Sequence, residues 1–193
     1  MTGLRTARLA VVAAAVVALG ACDDASRTQL SPSIPSLSSS STAVRVATVQ
    51  RRTPLGDDVT RRVVVDRNGA VIRLDAAGLK VKVPSNALPA GTESLEITVT
   101  AIAGSQFAYE FEPSGATFTR PLEIEQDIRD AVVDGHDGGS PIVSYFKTRS
   151  DVDAAAGTAN SFEDLNTSMD VRGHKLRTDI WHFSGYIVSW GRH

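Results

Sequence analysis

From residue 63 onward, apolar and polar residues alternate in short runs, the period-two signature of strands with one buried face. Leu79-Lys80-Val81-Lys82-Val83 is the clearest run. Leu95-Glu96-Ile97-Thr98-Val99-Thr100 repeats it, and Phe107, Tyr109 and Phe111 carry it through residues 107–112. Val63-Val64-Val65 leads to Arg67-Asn68-Gly69, an Asn-Gly hairpin signal with its return strand expected at residues 70–75. Further strands are expected at 116–118 and 142–147, and at 122–125, where Pro121 favours a strand start or an edge. A hairpin turning at Gly173 is expected within 171–180, followed by one last strand over 181–190. Parity along that strand puts Trp181, Phe183 and Gly185 on one face, and His182, Ser184, Tyr186, Val188 and Trp190 on the other.

The punctuation between these runs is equally readable. Residues 84–92 hold Pro84, Pro89 and Gly91 and form a rigid loop. Residues 128–133 are expected to make one helical turn, 134–139 a mobile loop, and 151–157 a loop or short helix. Many short strands with turns between them and little helix define an all-β chain, a single antiparallel β-sandwich. No internal repeat is present.

Ahead of this domain the pattern changes. Residues 23–58 are rich in Ser and Pro around Ser31-Pro32-Ser33-Ile34-Pro35 and the run Ser38–Ser41. Such a stretch cannot bury enough surface to offset its ordering entropy and is expected to be a disordered tether. A short strand is possible at 44–49, but Arg51, Arg52, Pro54 and Gly56 interrupt the pattern, so the folded domain is expected to occupy 59–193 and the tether 22–58.

Residues 1–21 have the three parts of an export signal: Arg5 and Arg8, an unbroken Ala/Val/Leu run over 9–19, and small residues before Cys22. That run is too short to cross a bilayer core of roughly 30 Å as a helix. Leu19-Gly20-Ala21-Cys22 resembles the lipobox of bacterial lipoproteins. The resemblance implies cleavage before Cys22, diacylation of its thiol and acylation of the new amino terminus; two or more chains anchor a protein stably where one does not.

Charge and cysteine usage narrow the functions. Removing the leader takes two arginines and no acid, so 20 basic residues become 18 against 22 acidic ones, a formal charge of −4. That argues against a nucleic-acid surface. Cys22 is the sole cysteine, so no disulfide is available and the domain must rest on its core.

Val83-Pro84 followed by Ala87-Leu88-Pro89-Ala90-Gly91-Thr92 is similar to a signature loop of the ZU-five domain, named for zonula-occludens proteins and netrin receptors. Residues 112–122, Glu-Pro-Ser-Gly-Ala-Thr-Phe-Thr-Arg-Pro-Leu, resemble its second signature, and His182-Phe183-Ser184-Gly185-Tyr186 resembles an ending seen in bacterial relatives. The resemblance implies a β-sandwich used for protein contacts or as a structural module. It supplies no ligand.

His182-Phe183-Ser184 also resembles a sequence that marks self-cleavage in some animal relatives. There Ser184 would attack the Phe183 carbonyl with His182 as base, giving an ester that water hydrolyses. Against it stands a plain alternative, with Phe183 in the core and His182 and Ser184 in a half-exposed strand. Asp134, His136 and Asp137 cluster in a glycine loop without EF-hand spacing and read as a solvated loop, with His174 and His193 at the surface. Trp181, Tyr186 and Trp190 could form a sugar platform, though core packing accounts for most such rings. No nucleophile elbow, zinc-protease helix, Walker loop or dinucleotide fingerprint occurs.

The sequence therefore predicts a non-enzymatic lipoprotein of a bacterial cell envelope, facing the periplasm or exterior. Its expected partners are the lipid bilayer, through acylated Cys22, and an envelope protein, with no cofactor or metal. The alternatives are self-processing between Phe183 and Ser184, and a carbohydrate- or metal-binding module.

Overall fold

The run Leu79–Val83 is a strand with Leu79, Val81 and Val83 buried and both lysines turned outward. The same alternation organises most of the computed structural model, which describes residues 42–132, 139–172 and 174–192. The expected leader, Cys22 and most of the tether lie outside the described residues, as do Asp134, His136, Asp137, Gly173 and His193.

In chain order the strands are β1 (Val44–Ala47), β2 (Gln50–Leu55), β3 (Val59–Asp66), β4 (Ala70–Leu74), β5 (Leu79–Val83) and β6 (Ser94–Ala101). They continue with β7 (Gly104–Gln106), β8 (Ala108–Glu112), β9 (Thr117–Asp127), β10 (Ala131–Val132), β11 (Ile142–Phe146) and β12 (Val152–Asp153). The last are β13 (Thr158–Ser161), β14 (Glu163–Asp164), β15 (Thr167–Asp170), β16 (Lys175–His182) and β17 (Gly185–Ser189). A six-stranded sheet runs β14-β11-β17-β8-β6-β3 and a five-stranded sheet runs β15-β16-β9-β5-β4. Every pairing within them is antiparallel. The expected all-β sandwich is the observed fold.

The main core fills the space between these sheets. Val65, Ile97, Val99, Tyr109, Phe111, Tyr186 and Val188 meet Ile72, Leu74, Leu79, Val81, Leu122, Ile124, Leu176 and Ile180 across it. A second, smaller core lies on the opposite side of the six-stranded sheet, where Ala108, Phe146 and Ile187 pack with Val46, Ile102 and Ala159. Its cover is a small sheet of order β1-β13-β12. All of β17 is consequently buried, which explains its unbroken Tyr-Ile-Val run in place of alternation.

Several expectations change. The fold begins ahead of residue 59: β1 pairs with β13, and β2 pairs with β7 and β10. Asn68-Gly69 does turn the chain, but β3 pairs with β6 and β4 with β5, so the turn is an arch between sheets. Gly69 (φ +80°) is needed there, since a Cβ would lie 2.3 Å from the Val83 carbonyl oxygen. The turn is held by Asn86 N donating to Arg67 O at 2.9 Å.

Residues 117–127 form one strand, with Pro121 at the register break between Ile180↔Leu122 and His182↔Thr117, where its missing N–H is tolerated. The helical turn expected at 128–133 is a turn into β10, because Ala131 and Val132 pair with Arg51 and Gln50. Residues 149–151 make a 3-10 turn before β12. The expected last strand is two strands in different sheets.

Gly185 lies directly opposite Phe146, and a Cβ on it would sit 2.1 Å from the ring. Gly185→Ala is expected to destabilise the fold by about 1–3 kcal/mol through overpacking of the second core. A urea denaturation midpoint equal to that of the unsubstituted protein would show that the Phe146 ring has room to move.

Candidate functional site

The chain passes from the five-stranded to the six-stranded sheet at Phe183-Ser184. This crossing is pinned by its backbone: Phe183 N donates to Ala116 O at 2.8 Å, and Gly115 N donates to Phe183 O at 2.9 Å. Phe111 N donates to Ser184 O at 3.0 Å. The Phe183 ring packs on Phe118 and Phe111, with centroids 4.7 and 5.4 Å away.

The two side chains that self-cleavage would need point to different partners. Ser184 Oγ donates to Phe146 O at 3.2 Å. The His182 ring lies edge-on to Tyr145 at 5.4 Å, with its Nδ1 3.4 Å from the Tyr186 hydroxyl, which donates to the His182 carbonyl at 2.6 Å. Burial raises the Tyr186 phenol above the ordinary tyrosine range. A serine nucleophile requires a base within hydrogen-bond reach; here both groups brace the crossing. Neither Phe183 nor Ser184 has a φ in the left-handed region.

The expected parity fails at the same crossing. Trp181 is 55% exposed, whereas Phe183, Tyr186 and Trp190 are buried. The three rings of the envisaged platform are therefore separated, and Trp181 alone faces out from the five-stranded sheet. It lies at the register shift between Ile180 and His182, where the pairing on β9 passes from Leu122 to Thr117. His174, with a φ of 50°, is exposed in the turn before β16.

The sequence reading treated Arg51 as an interruption, yet it is a buried cation. Its Nη1 donates to Ala77 O at 3.0 Å, its Nη2 to the Tyr109 hydroxyl at 2.9 Å and its Nε to Gln106 O at 3.4 Å. Its guanidinium carbon stands 3.9 Å above the Phe107 ring centre. The Tyr109 hydroxyl also bonds Gln126 Oε1, and Gln126 Nε2 donates to Ala77 O at 3.1 Å. Burial pushes the Tyr109 phenol up to about 12 against the opposing pull of Arg51, so the phenol is neutral. Carbonyl dipoles, a hydroxyl and a π face thus solvate this cation. The available signal was its parity with Val49, which is also buried.

Arg51 reaches an open cavity of about 540 Å³ rimmed by Asp75, Asp127, Arg129 and Asp130. Three of these four rim charges are engaged within the chain: Asp127 pairs with Arg129, and Asp130 accepts from Thr53 N at 3.1 Å. The Arg129 guanidinium, opposed by partial burial, holds the Asp127 carboxyl below its ordinary range.

The outer face of the five-stranded sheet carries an ordered charge pattern. Glu125 is 9% exposed and binds Lys175 at 2.6 Å and Arg177 at 3.0 Å, with Lys80 at 4.0 Å. The Lys175 hydrogen bond, partly opposed by burial, is the largest influence lowering its carboxyl below the usual range. One cross-strand row along, Lys82 faces Glu123 and Glu123 faces Asp179. Compared with known proteins, the sequence matches no family model and no curated protein.

Two measurements check these assignments. Denaturing mass spectrometry of the purified protein is expected to find no fragment beginning at Ser184; such a fragment, abolished by Ser184→Ala, would establish self-processing. Glu125 has a depressed folded pKa, so its contribution is present above the unfolded carboxylate value of about 4.3 and is lost as pH falls through the folded one. Urea midpoints are therefore expected to fall on acidification below pH 5. Glu125→Gln should lower the midpoint at pH 7 and flatten that acid decline; a decline of undiminished slope would remove Glu125 from the account.

Proposed function

We propose that this protein is a lipid-anchored component of a bacterial cell envelope that presents a non-catalytic β-sandwich for protein binding, adhesion or scaffolding. The observation that carries the reading is the position of the sole cysteine, Cys22, at the end of Leu19-Gly20-Ala21-Cys22, behind an apolar run with Arg5 and Arg8 at its start. Acylation there would hold the domain at a membrane surface, the outcome that two or more chains provide.

The domain's own construction supports a presenting role. His182 and Ser184, the chain's sharpest catalytic pair, are engaged in bracing the sheet crossing. Residues 83–92 and 112–122, which carry the likeness to the ZU-five domain, join the two sheets: Thr119 N donates to Ala87 O at 2.9 Å and its Oγ1 to Asn86 O at 2.8 Å. A scaffold stiffened in this way keeps a surface in fixed geometry, which suits recognition.

Expression of the full chain in a bacterial host with labelled palmitate tests the anchor. The protein is expected to take up label and to fractionate with membranes, and Cys22→Ser is expected to abolish the label and the membrane retention of the processed form. Equal labelling and fractionation of the two would overturn the anchored reading.

A further inference from the structure

We propose that the outer face of the five-stranded sheet is a saccharide-binding platform, with Trp181 as the stacking ring and Glu123, Asp179, Lys82 and Arg120 as the groups that read hydroxyls. The proposal rests on the reading of the sandwich as a presented surface, and not on the lipid anchor.

Two shallow grooves mark this face. One, of about 230 Å³, is lined by Lys82, Pro84, Arg120, Pro121, Glu123 and Asp179. The other, of about 220 Å³, shares Glu123 and Asp179 and continues to Asn166 and Ser168. Together they form one track running across the strands. Trp181 is outside the lining of both grooves but on the same outer face: like Asp179 it is exposed, two residues or about 7 Å farther along β16. In the register that pairs Ile180 with Leu122 it falls beside Pro121, at the register shift.

Charge selects the ligand class. Glu123 and Asp179 stand directly opposite each other, an arrangement that weakens a sheet. Among the described residues, no hydrogen bond or ion pair engages the side chains of Glu123, Asp179 or Lys82. Arg120 uses Nη1 on Ser85 O at 3.0 Å, leaving other guanidinium N–H groups for a ligand. The neighbouring cations Lys80, Lys175 and Arg177 are gathered on Glu125. Two free carboxylates and two cations leave the track close to neutral, so a strongly acidic or strongly basic partner meets like charge along it.

A sugar ring fits this combination. Its axial C–H face stacks on an exposed indole, and its hydroxyls donate to carboxylates and accept from Lys and Arg. An apolar contact with a few convergent polar groups is the general form of a small-ligand site. The length of the track, from Pro84 on one side to Asn166 on the other, suits several linked sugars.

The test uses the full chain in detergent, titrated with chitotetraose and cellotetraose and applied to a printed panel of bacterial envelope oligosaccharides. Trp190 is buried, so a blue shift of tryptophan emission on binding reports Trp181. At least one saccharide is expected to bind. Trp181→Ala is expected to weaken it about tenfold, and Glu123→Gln and Asp179→Asn to weaken it further, with urea midpoints no lower than that of the unsubstituted protein.

Absence of binding to every saccharide overturns the proposal, as does binding unchanged in both Trp181→Ala and Glu123→Gln. Binding of an oligolysine peptide but no saccharide, lost in Asp179→Asn, would instead assign the face to a cationic protein segment. A negative result with palmitate labelling intact defeats the platform alone, and lost labelling with saccharide binding intact defeats the anchor alone.

Discussion

A strand that has to be dry on both sides governs this architecture. Along β17, Tyr186 and Val188 enter the main core while Ile187 enters the second, and all five residues are buried. One cover is therefore insufficient. The five-stranded sheet closes one side and the β1-β13-β12 sheet closes the other. The polar atoms trapped between them are paired locally: Ser144 Oγ and Ser189 Oγ share a hydrogen bond at 2.6 Å, and Ser144 Oγ also donates to Asp164 Oδ1 at 2.7 Å. Unpaired, each buried hydroxyl would cost on the order of 1–3 kcal/mol.

Arg51 fixes the end of the same sandwich. It draws β2, the 3-10 turn at Asp75–Ala77 and β8 onto one guanidinium, and Gln126 extends the set to β9. With no carboxylate among these partners, the cation is stabilised by oriented dipoles, so the geometry of the surrounding backbone sets its electrostatics. The elements gathered there come from both large sheets, and the residue thereby couples their relative position.

Legibility in the sequence followed the physics of one-sided burial. Leu79–Val83 and Ser94–Ala101 expose a face and were readable from alternation alone. The crossing at Phe183-Ser184 was not, because β17 has no wet face and Gly185, the one residue that marks the break, is a weak signal by itself. The face assigned to Trp181 failed for that reason. Asn68-Gly69 announced a turn but could not say that its flanking strands join different sheets, a fact set by Val83 and Pro84 distant in sequence. Arg51 was overlooked because a cation is an unusual core residue, and only its parity with Val49 hinted at burial. The proposal for Cys22 is of another kind, since it rests on local sequence alone.

The first and last described segments are latched to each other by hydrogen bonds. Trp190 N donates to Ala47 O at 3.0 Å, and Arg192 Nη2 donates to Thr42 O at 3.2 Å. Whatever precedes residue 42 thus enters the domain at the strand that roofs Phe146 and Ile187. Tension along the amino-terminal segment would load this four-residue strand first, and peeling it would uncover the small core while the main one stayed shut. Opening of the domain from this side would therefore begin at β1 and Val46, ahead of Val49 and the main core.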